Sequence, residues 1–330
     1  MMRIERKKLS ELSASQIEEI NLFLESNYST VFHEPRFNSI VSEVFMTKFW
    51  YNFVYSSDGR IIALCPFHSK EHGWLRRTYS NPAMYDVRYG GWVYDRSELS
   101  LQYLLTHTGV SSNESLTYWS IPQIEYNDYG SVKGFTEFRT GLIDLSFSLE
   151  DILHKSISRK RRETINSAFR KGVVVEELER DRLGIFIDQC SYLKKSIGGQ
   201  GFPRDYFVKI FDNYISDDRV SVLASKLGSA SLATGMMICN KNMAHLWIAG
   251  KPRETHVNVP RQDPLVWESI KWAKRVGCKY FDLCVIEADR LPNIARFKFG
   301  FTKLIVPFYL HVKKGFGFRI VARARKMGLV

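Results

Sequence analysis

The stretch Leu265–Val285, LVWESIKWAKRVGCKYFDLCV, decides the fold. Leu265, Trp267, Ile270, Trp272 and Ala273 fall roughly on one face at helical spacing, so this segment begins as an amphipathic helix. Gly277 suits the helix C-terminus, and YFDLCV after it reads as a buried strand. An earlier stretch, LQYLLTHTGVSSNESLTYWSIPQ (101–123), has the same helix, break and strand, and its Gly109 stands 168 positions before Gly277. Two hairpins repeat in the same way. FVYSSDGRIIALCPF (53–67) turns at an Asp-Gly pair and VLASKLGSASLATGMM (222–237) at a glycine, with Gly59 and Gly228 169 positions apart. Two landmark pairs with nearly equal offsets predict one α+β unit used twice.

Between the halves lies LIDLSFSLEDILHKSISRKRRETINSAFRKGVVVEEL (142–178). It predicts a strand, then a helix opened by Ser148 with Glu150 and Asp151 in its first turn, where the helix dipole favours acids. Ile152, Leu153, Ile157, Ile165, Ala168 and Phe169 supply the apolar face, Gly172 the stop, and VVVEEL a further strand. The boundary falls in 140–147, which divides the chain into 1–143, 144–315 and a basic C-terminal tail, 316–330.

A chain of 330 residues, 45% hydrophobic and 25% charged, can bury two ordinary cores. No apolar run approaches the roughly 20 residues needed to cross a bilayer, and the first residues do not read as a secretory signal. Five cysteines without C-x-x-C spacing suit reduced thiols, so a cytoplasmic location is expected, with peripheral contact at the inner membrane face as an addition. The net charge of +12 points to anionic partners. Six basic residues lie between Arg159 and Lys171, and the end, KKGFGFRIVARARKMGLV, contains no acid. The histidines form no H-E-x-x-H pattern, so no metal is expected, and His245 in MAHLWIAG reads as a strand histidine. There is no G-x-S-x-G elbow and no Walker-type phosphate loop.

The stretch RFKFGF (296–301) sets Lys298 among three phenylalanines, where an ammonium is costly unless negative charge comes to meet it. In order, RKRRETINSAFRKGVVVEE, PRDYFVKIFDNY, LVWESIKWAKRVGCKYFDLC and RFKFGF resemble the Fem-type (FemAB-like) transferases, over about 30–315. That resemblance implies two tandem GNAT-like domains, each a mixed, mostly antiparallel sheet flanked by helices. It also implies an N-acyltransferase that moves an acyl or aminoacyl group directly onto an amine. The family's F-K-x-x-F-G motif appears here as Phe297, Lys298, Phe299, Gly300, Phe301 and Thr302, with threonine in place of the last glycine. By resemblance Lys298 assists the transition state and Phe297 belongs to the same catalytic motif.

Further roles follow from the same likeness. The family's G-P-x-x-D pattern matches Gly91–Asp95 with Trp92 in place of proline, making Asp95 a catalytic candidate for orienting or deprotonating the amine. The loop NPAMYDVRYGG before it looks substrate-facing, with Tyr89 as a binding candidate. Arg36 in HEPRFNSIV is a candidate contact to substrate, where peptidoglycan-type members carry tryptophan and lysine and this chain has Phe37 and Val41. Arg204 and Tyr206 stand where relatives contact acceptor phosphate.

The implied donor is acyl-CoA, acyl carrier protein or aminoacyl-tRNA, none bound as a tight cofactor. The implied acceptor is an amino-sugar or peptide precursor of the cell wall or a cell-surface polysaccharide. A tRNA-dependent peptidoglycan bridge transferase is the nearest alternative. A non-catalytic protein whose basic segments bind nucleic acid or an anionic membrane is the other.

Overall fold

The computed structural model describes residues 2–82, 86, 87, 89–108, 111–124, 128–130, 132–254 and 257–326. Gly109, four positions of the 81–91 loop and the last four residues of the tail lie outside them.

The first half runs β1 (Arg3–Lys8), α1 (Ala14–Ser26), α2 (Pro35–Phe45), β2 (Lys48–Tyr55), β3 (Ile61–His72), β4 (Leu75–Tyr79), β5 (Val93–Tyr94), α3 (Leu101–Thr106), β6 (Glu114–Trp119) and β7 (Phe135–Asp144). The second half continues with α4 (Arg159–Arg170), β8 (Val174–Glu177), α5 (Leu183–Ser196), α6 (Arg204–Tyr214), β9 (Val220–Leu227), β10 (Ala230–Cys239), β11 (Met243–Gly250) and α7 (Gln262–Arg275). It ends with β12 (Tyr280–Ile286), α8 (Pro292–Phe299), β13 (Leu304–Lys314) and α9 (Phe316–Lys326). Two compact units result: Met1–Phe138 with Pro307–Val330, and Arg139–Val306. The contiguous division expected from the sequence thus meets a chain whose last residues belong to its first unit, and the basic segment 316–326 is a helix of that unit. Among the described residues no helix is long and apolar enough to cross a membrane.

In the first unit β1, β2, β3 and β4 pair antiparallel in that order, β4 pairs β6 in parallel, and β6 pairs β13 antiparallel. The β2–β3 hairpin turns at Gly59, whose φ of +90° favours glycine. β2 reads KFWYNFVY almost without polar interruption because both faces of the sheet are covered. Trp50 and Val54 pack with Phe67, Trp92, Leu104 and Tyr118. Phe49, Tyr51, Phe53 and Tyr55 pack with Ile20 and Leu24 of α1. Each such large side chain taken out of water contributes about 1.5–3 kcal/mol.

The Gly91–Trp92 step shows why this chain departs from proline there. The Trp92 N–H donates to the Tyr118 hydroxyl at 2.6 Å, a bond proline cannot make, and its indole donates to Thr108 at 3.1 Å. Gly91 has φ +83°, and a Cβ on it would stand 2.5 Å from the Trp119 carbonyl oxygen and 2.7 Å from the Tyr118 hydroxyl. Gly91→Ala is therefore expected to destabilise the protein by about 3 kcal/mol or more. The midpoint of urea unfolding checks it, and an unchanged midpoint would show that this approach is not fixed.

The second unit repeats the grammar. β8, β9, β10 and β11 pair antiparallel, β11 pairs β12 in parallel, and β12 pairs β7 antiparallel. The β9–β10 hairpin turns at Gly228 with φ +57°, as the repeat predicts. α7 buries Leu265, Val266, Ile270, Trp272 and Ala273 in a core with Met237, Ala244, Phe281, Leu283 and Phe301. Gly277, with φ +82°, ends it.

The linking segment corrects the sequence reading in one respect. Ser148 caps a short helix over 149–156, accepting the Asp151 N–H at 3.0 Å, and the chain breaks at Ile157 before α4 starts. The break is held by Arg162, whose Nη1 donates to the carbonyls of His154 at 3.1 Å and Ile157 at 2.6 Å. The Ser158 N–H meanwhile donates to the Gly300 carbonyl at 2.8 Å. Apolar spacing carries no trace of a guanidinium that takes up carbonyls from the preceding turn.

Candidate active site

The site is built where β11 and β12 part. Their parallel ladder has three rungs, Met243–Tyr280, Ala244–Phe281 and His245–Asp282. β11 then continues to Gly250 along β10, while β12 continues to Ile286 along β7. At the parting point β12 bulges: its register against β7 shifts between Asp282 and Val285, and Cys284 adopts φ +60°. A left-handed cysteine inside a strand is an outlier that needs holding in place.

Asp282 provides that hold. One carboxylate oxygen accepts the Cys284 N–H at 2.9 Å and the Thr140 hydroxyl, and the other faces His245 Nδ1 at 2.8 Å. Both Asp282 and His245 are fully buried. Burial pushes the Asp282 carboxyl up, but the bonds from His245, Thr140 and Cys284 outweigh it and leave its pKa below the ordinary aspartate value. An ionised carboxylate makes His245 Nδ1 the protonated, donating nitrogen. His245, Asp282 and Cys284 bring three donor atoms within 4.8 Å of one another. With the carboxylate already taken up by three donors, the group is a hydrogen-bonded set. The sequence reading placed His245 on a strand and missed its partner, 37 residues away.

The bulge turns its carbonyls toward Lys298. The Lys298 ammonium donates to Val285 O at 2.8 Å and Cys284 O at 3.3 Å. Lys298 lies in the last turn of α8, half-buried, with Gly300 as the C-cap that follows. The three phenylalanines differ. Phe301 is fully buried, Phe297 packs against the same core, and Phe299 is 46% exposed, so it does not shield the ammonium. Phe297 has a separate task. The Arg161 guanidinium lies 4.5 Å from its ring centroid and 5.9 Å from that of Phe301, while Arg161 Nη1 binds Asp263 at 2.9 Å. A Cβ on Gly300 would stand 2.8 Å from Arg161 Cγ and Nε, which accounts for the glycine in the motif.

The other sequence candidates make contacts of their own. Asp95 serves its own turn, one oxygen accepting the Ser97 N–H at 2.9 Å and the Ser97 hydroxyl at 2.6 Å. The hydrogen bond from the Ser97 side chain leads in pulling its pKa below the ordinary value, which makes it a weaker base. Tyr89 is fully buried, edge-on to Phe308 at 5.2 Å, and packs as a core aromatic of the first unit. Arg36 lies exposed on α2 of that unit. In the second unit Arg204 and Tyr206 sit two residues apart on α6 and face different ways. Arg204 is exposed, whereas Tyr206 is buried with its ring edge-on to Trp247 at 5.5 Å, so they form no joint grip.

The fold has relatives. The FemAB family model matches residues 133–230, from β7 to the end of β9. The solved structure of FemX superposes with a TM-score of 0.71 at 12% identity, covering 96% of this chain and 99% of that one. The chain is FemAB-like. A tandem GNAT protein from the clavulanic acid biosynthesis pathway shares the fold with a TM-score of 0.51 at 10% identity, over 94% of this chain and 98% of that one. L-PGS from Bacillus licheniformis does so with a TM-score of 0.50 at 13% identity, over 94% and 96%. No curated protein sequence matches. At these identities the structures establish the fold, the tandem GNAT architecture that the resemblance implied.

Proposed function

We propose that this FemAB-like protein forms amide bonds by transferring an acyl or aminoacyl group from an activated carrier to an amine. The observation that carries the reading is the Lys298 ammonium fixed on the bulge carbonyls where two parallel strands part. Diverging parallel strands are where open sheets take ligands, because each strand presents backbone groups to the space between them. The FemAB match and the FemX-like fold support the same class of chemistry.

In this reading the acceptor nitrogen attacks the carbonyl carbon of an ester or thioester. The new C–N bond forms as the carbonyl becomes an oxyanion, the amine proton leaves to solvent or a base, and collapse expels the carrier alcohol or thiol. Lys298 stabilises the oxyanion with a positive charge already held in place. Asp282 acts through the bulge as the residue that positions Lys298. The acceptor is an amine on a cell-wall or cell-surface polysaccharide precursor, and the carrier is CoA, acyl carrier protein or tRNA. The competing nucleic-acid reading has less support, because three of the six basic residues in 159–171 are committed within their own unit. Arg159 pairs with Glu163 at 2.7 Å, Arg161 with Asp263, and Arg162 with backbone carbonyls.

The test offers purified protein the three labelled donor classes with amino-sugar and peptide amines, and reads products by mass. The expected result is one donor class giving a hydroxylamine-stable adduct of the acyl or aminoacyl mass. No adduct from any class, with the protein shown to be folded, would overturn the reading.

A further inference from the structure

The C-terminal helix of the first unit presents a surface that the chemistry above does not use. On α9, Phe316, Arg319, Ile320 and Arg323 are all exposed and recur at the i, i+3, i+4, i+7 spacing of one helical face. Gly317, Phe318 and Val321 turn inward. Phe316 is 71% exposed and Ile320 52%. Trp74, at the β3–β4 turn, is 62% exposed and lies against the same helix, its ring 2.6 Å from where a Cβ on Gly317 would stand.

The helix is seated rather than trailing. The Gly315 N–H donates to Glu114 O at 2.8 Å and the Gly317 N–H to Ser112 O at 2.9 Å. A Cβ on Gly315 would stand 2.1 Å from the Ser111 carbonyl oxygen, so the close approach needs glycine. Arg319 Nε donates to the Lys314 carbonyl at 3.0 Å, which keeps that guanidinium at the head of the helix. The fold therefore holds a tryptophan, a phenylalanine and an isoleucine in the open beside two arginines.

We propose that this face binds an anionic lipid bilayer, lying in the interface with Trp74, Phe316 and Ile320 among the acyl chains and Arg319 and Arg323 at the head groups. Charge complementarity selects the occupant: the chain carries +12, and residues 313–330 contain no acid. Aliphatic and aromatic side chains alternating with arginines on one helical face suit an interfacial helix. Trp74 and Phe316 offer rings on which a base can stack whereas Ile320 does not, so tRNA is the competing occupant that the test includes. This surface is independent of the transfer reading, and its test reads no activity.

The experiment is flotation of the full-length protein with vesicles of phosphatidylglycerol and phosphatidylcholine, and with phosphatidylcholine alone. Binding is expected only to the anionic vesicles. Trp74→Ser/Phe316→Ser/Ile320→Ser should lower the partition coefficient more than 10-fold, and each of Arg319→Gln and Arg323→Gln about 5-fold. Circular dichroism and the urea midpoint must show each variant folded. If the triple variant does not fold, the arginine variants decide alone, since their side chains are on the surface. Absence of flotation, equal flotation by the folded variants, or binding of tRNA in place of vesicles would each overturn the proposal.

Discussion

Replacing Lys298 by methionine is expected to lower the single-turnover transfer rate about 10²–10³-fold while leaving the protein folded. The magnitude is that of removing one preorganised donor from a developing oxyanion. Methionine keeps most of the stem and drops the charge, so the loss reads the ammonium and not the packing. The side chain is half-buried and gives up two hydrogen bonds from a charged donor, worth about 1.5 kcal/mol or more each, so rates are compared where the variant is folded. Arginine at 298 should rescue little, since a planar guanidinium does not fit a seat shaped for a point cation on two neighbouring carbonyls. Donor binding measured alongside should change less than the rate. A variant turning over at the wild-type rate would remove Lys298 from the chemistry.

Asp282→Asn carries the second large effect, and here stability and activity fall together. The carboxylate accepts from three donors in a fully buried setting. An amide has one accepting oxygen, and its NH₂ group must then face a donor, so the exchange is expected to cost about 2–4 kcal/mol. The dependence on pH has a definite sign. The folded-state pKa lies below the ordinary value of 3.8, so the stabilisation is complete above that pH and is lost as pH falls through the lowered folded-state value. Urea midpoints should therefore show a constant gap between wild type and Asp282→Asn from pH 7 down to about 4, narrowing below it. A gap that widens in acid would mean the carboxyl is protonated in the folded state.

Much of the architecture was legible because it was written twice. The Gly59 and Gly228 hairpins and the 265–285 helix and strand are local features, set by turn chemistry and periodicity, and they appear where the sequence places them. Lys298 was legible only through its motif. Its seat was not, because that seat is backbone: two carbonyls turned by a bulge that depends on a left-handed Cys284. The His245–Asp282 pair was invisible for a similar reason, since residues 37 apart meet only through parallel register. The return of 307–330 to the first unit leaves no local signature either, as β13 reads as one uninterrupted strand. Asp95 and Tyr89 illustrate the opposite case. A turn carboxylate and a core aromatic look, in one dimension, like residues waiting for a substrate.

The central claim is that Asp282 acts on transfer through the bulge that seats Lys298. A double-mutant cycle on single-turnover rates, run at neutral pH and at a temperature where every variant is folded, tests it most directly. The account predicts that Asp282→Asn slows the wild type but adds almost nothing on the Lys298→Met background. Two effects that simply multiply would contradict it.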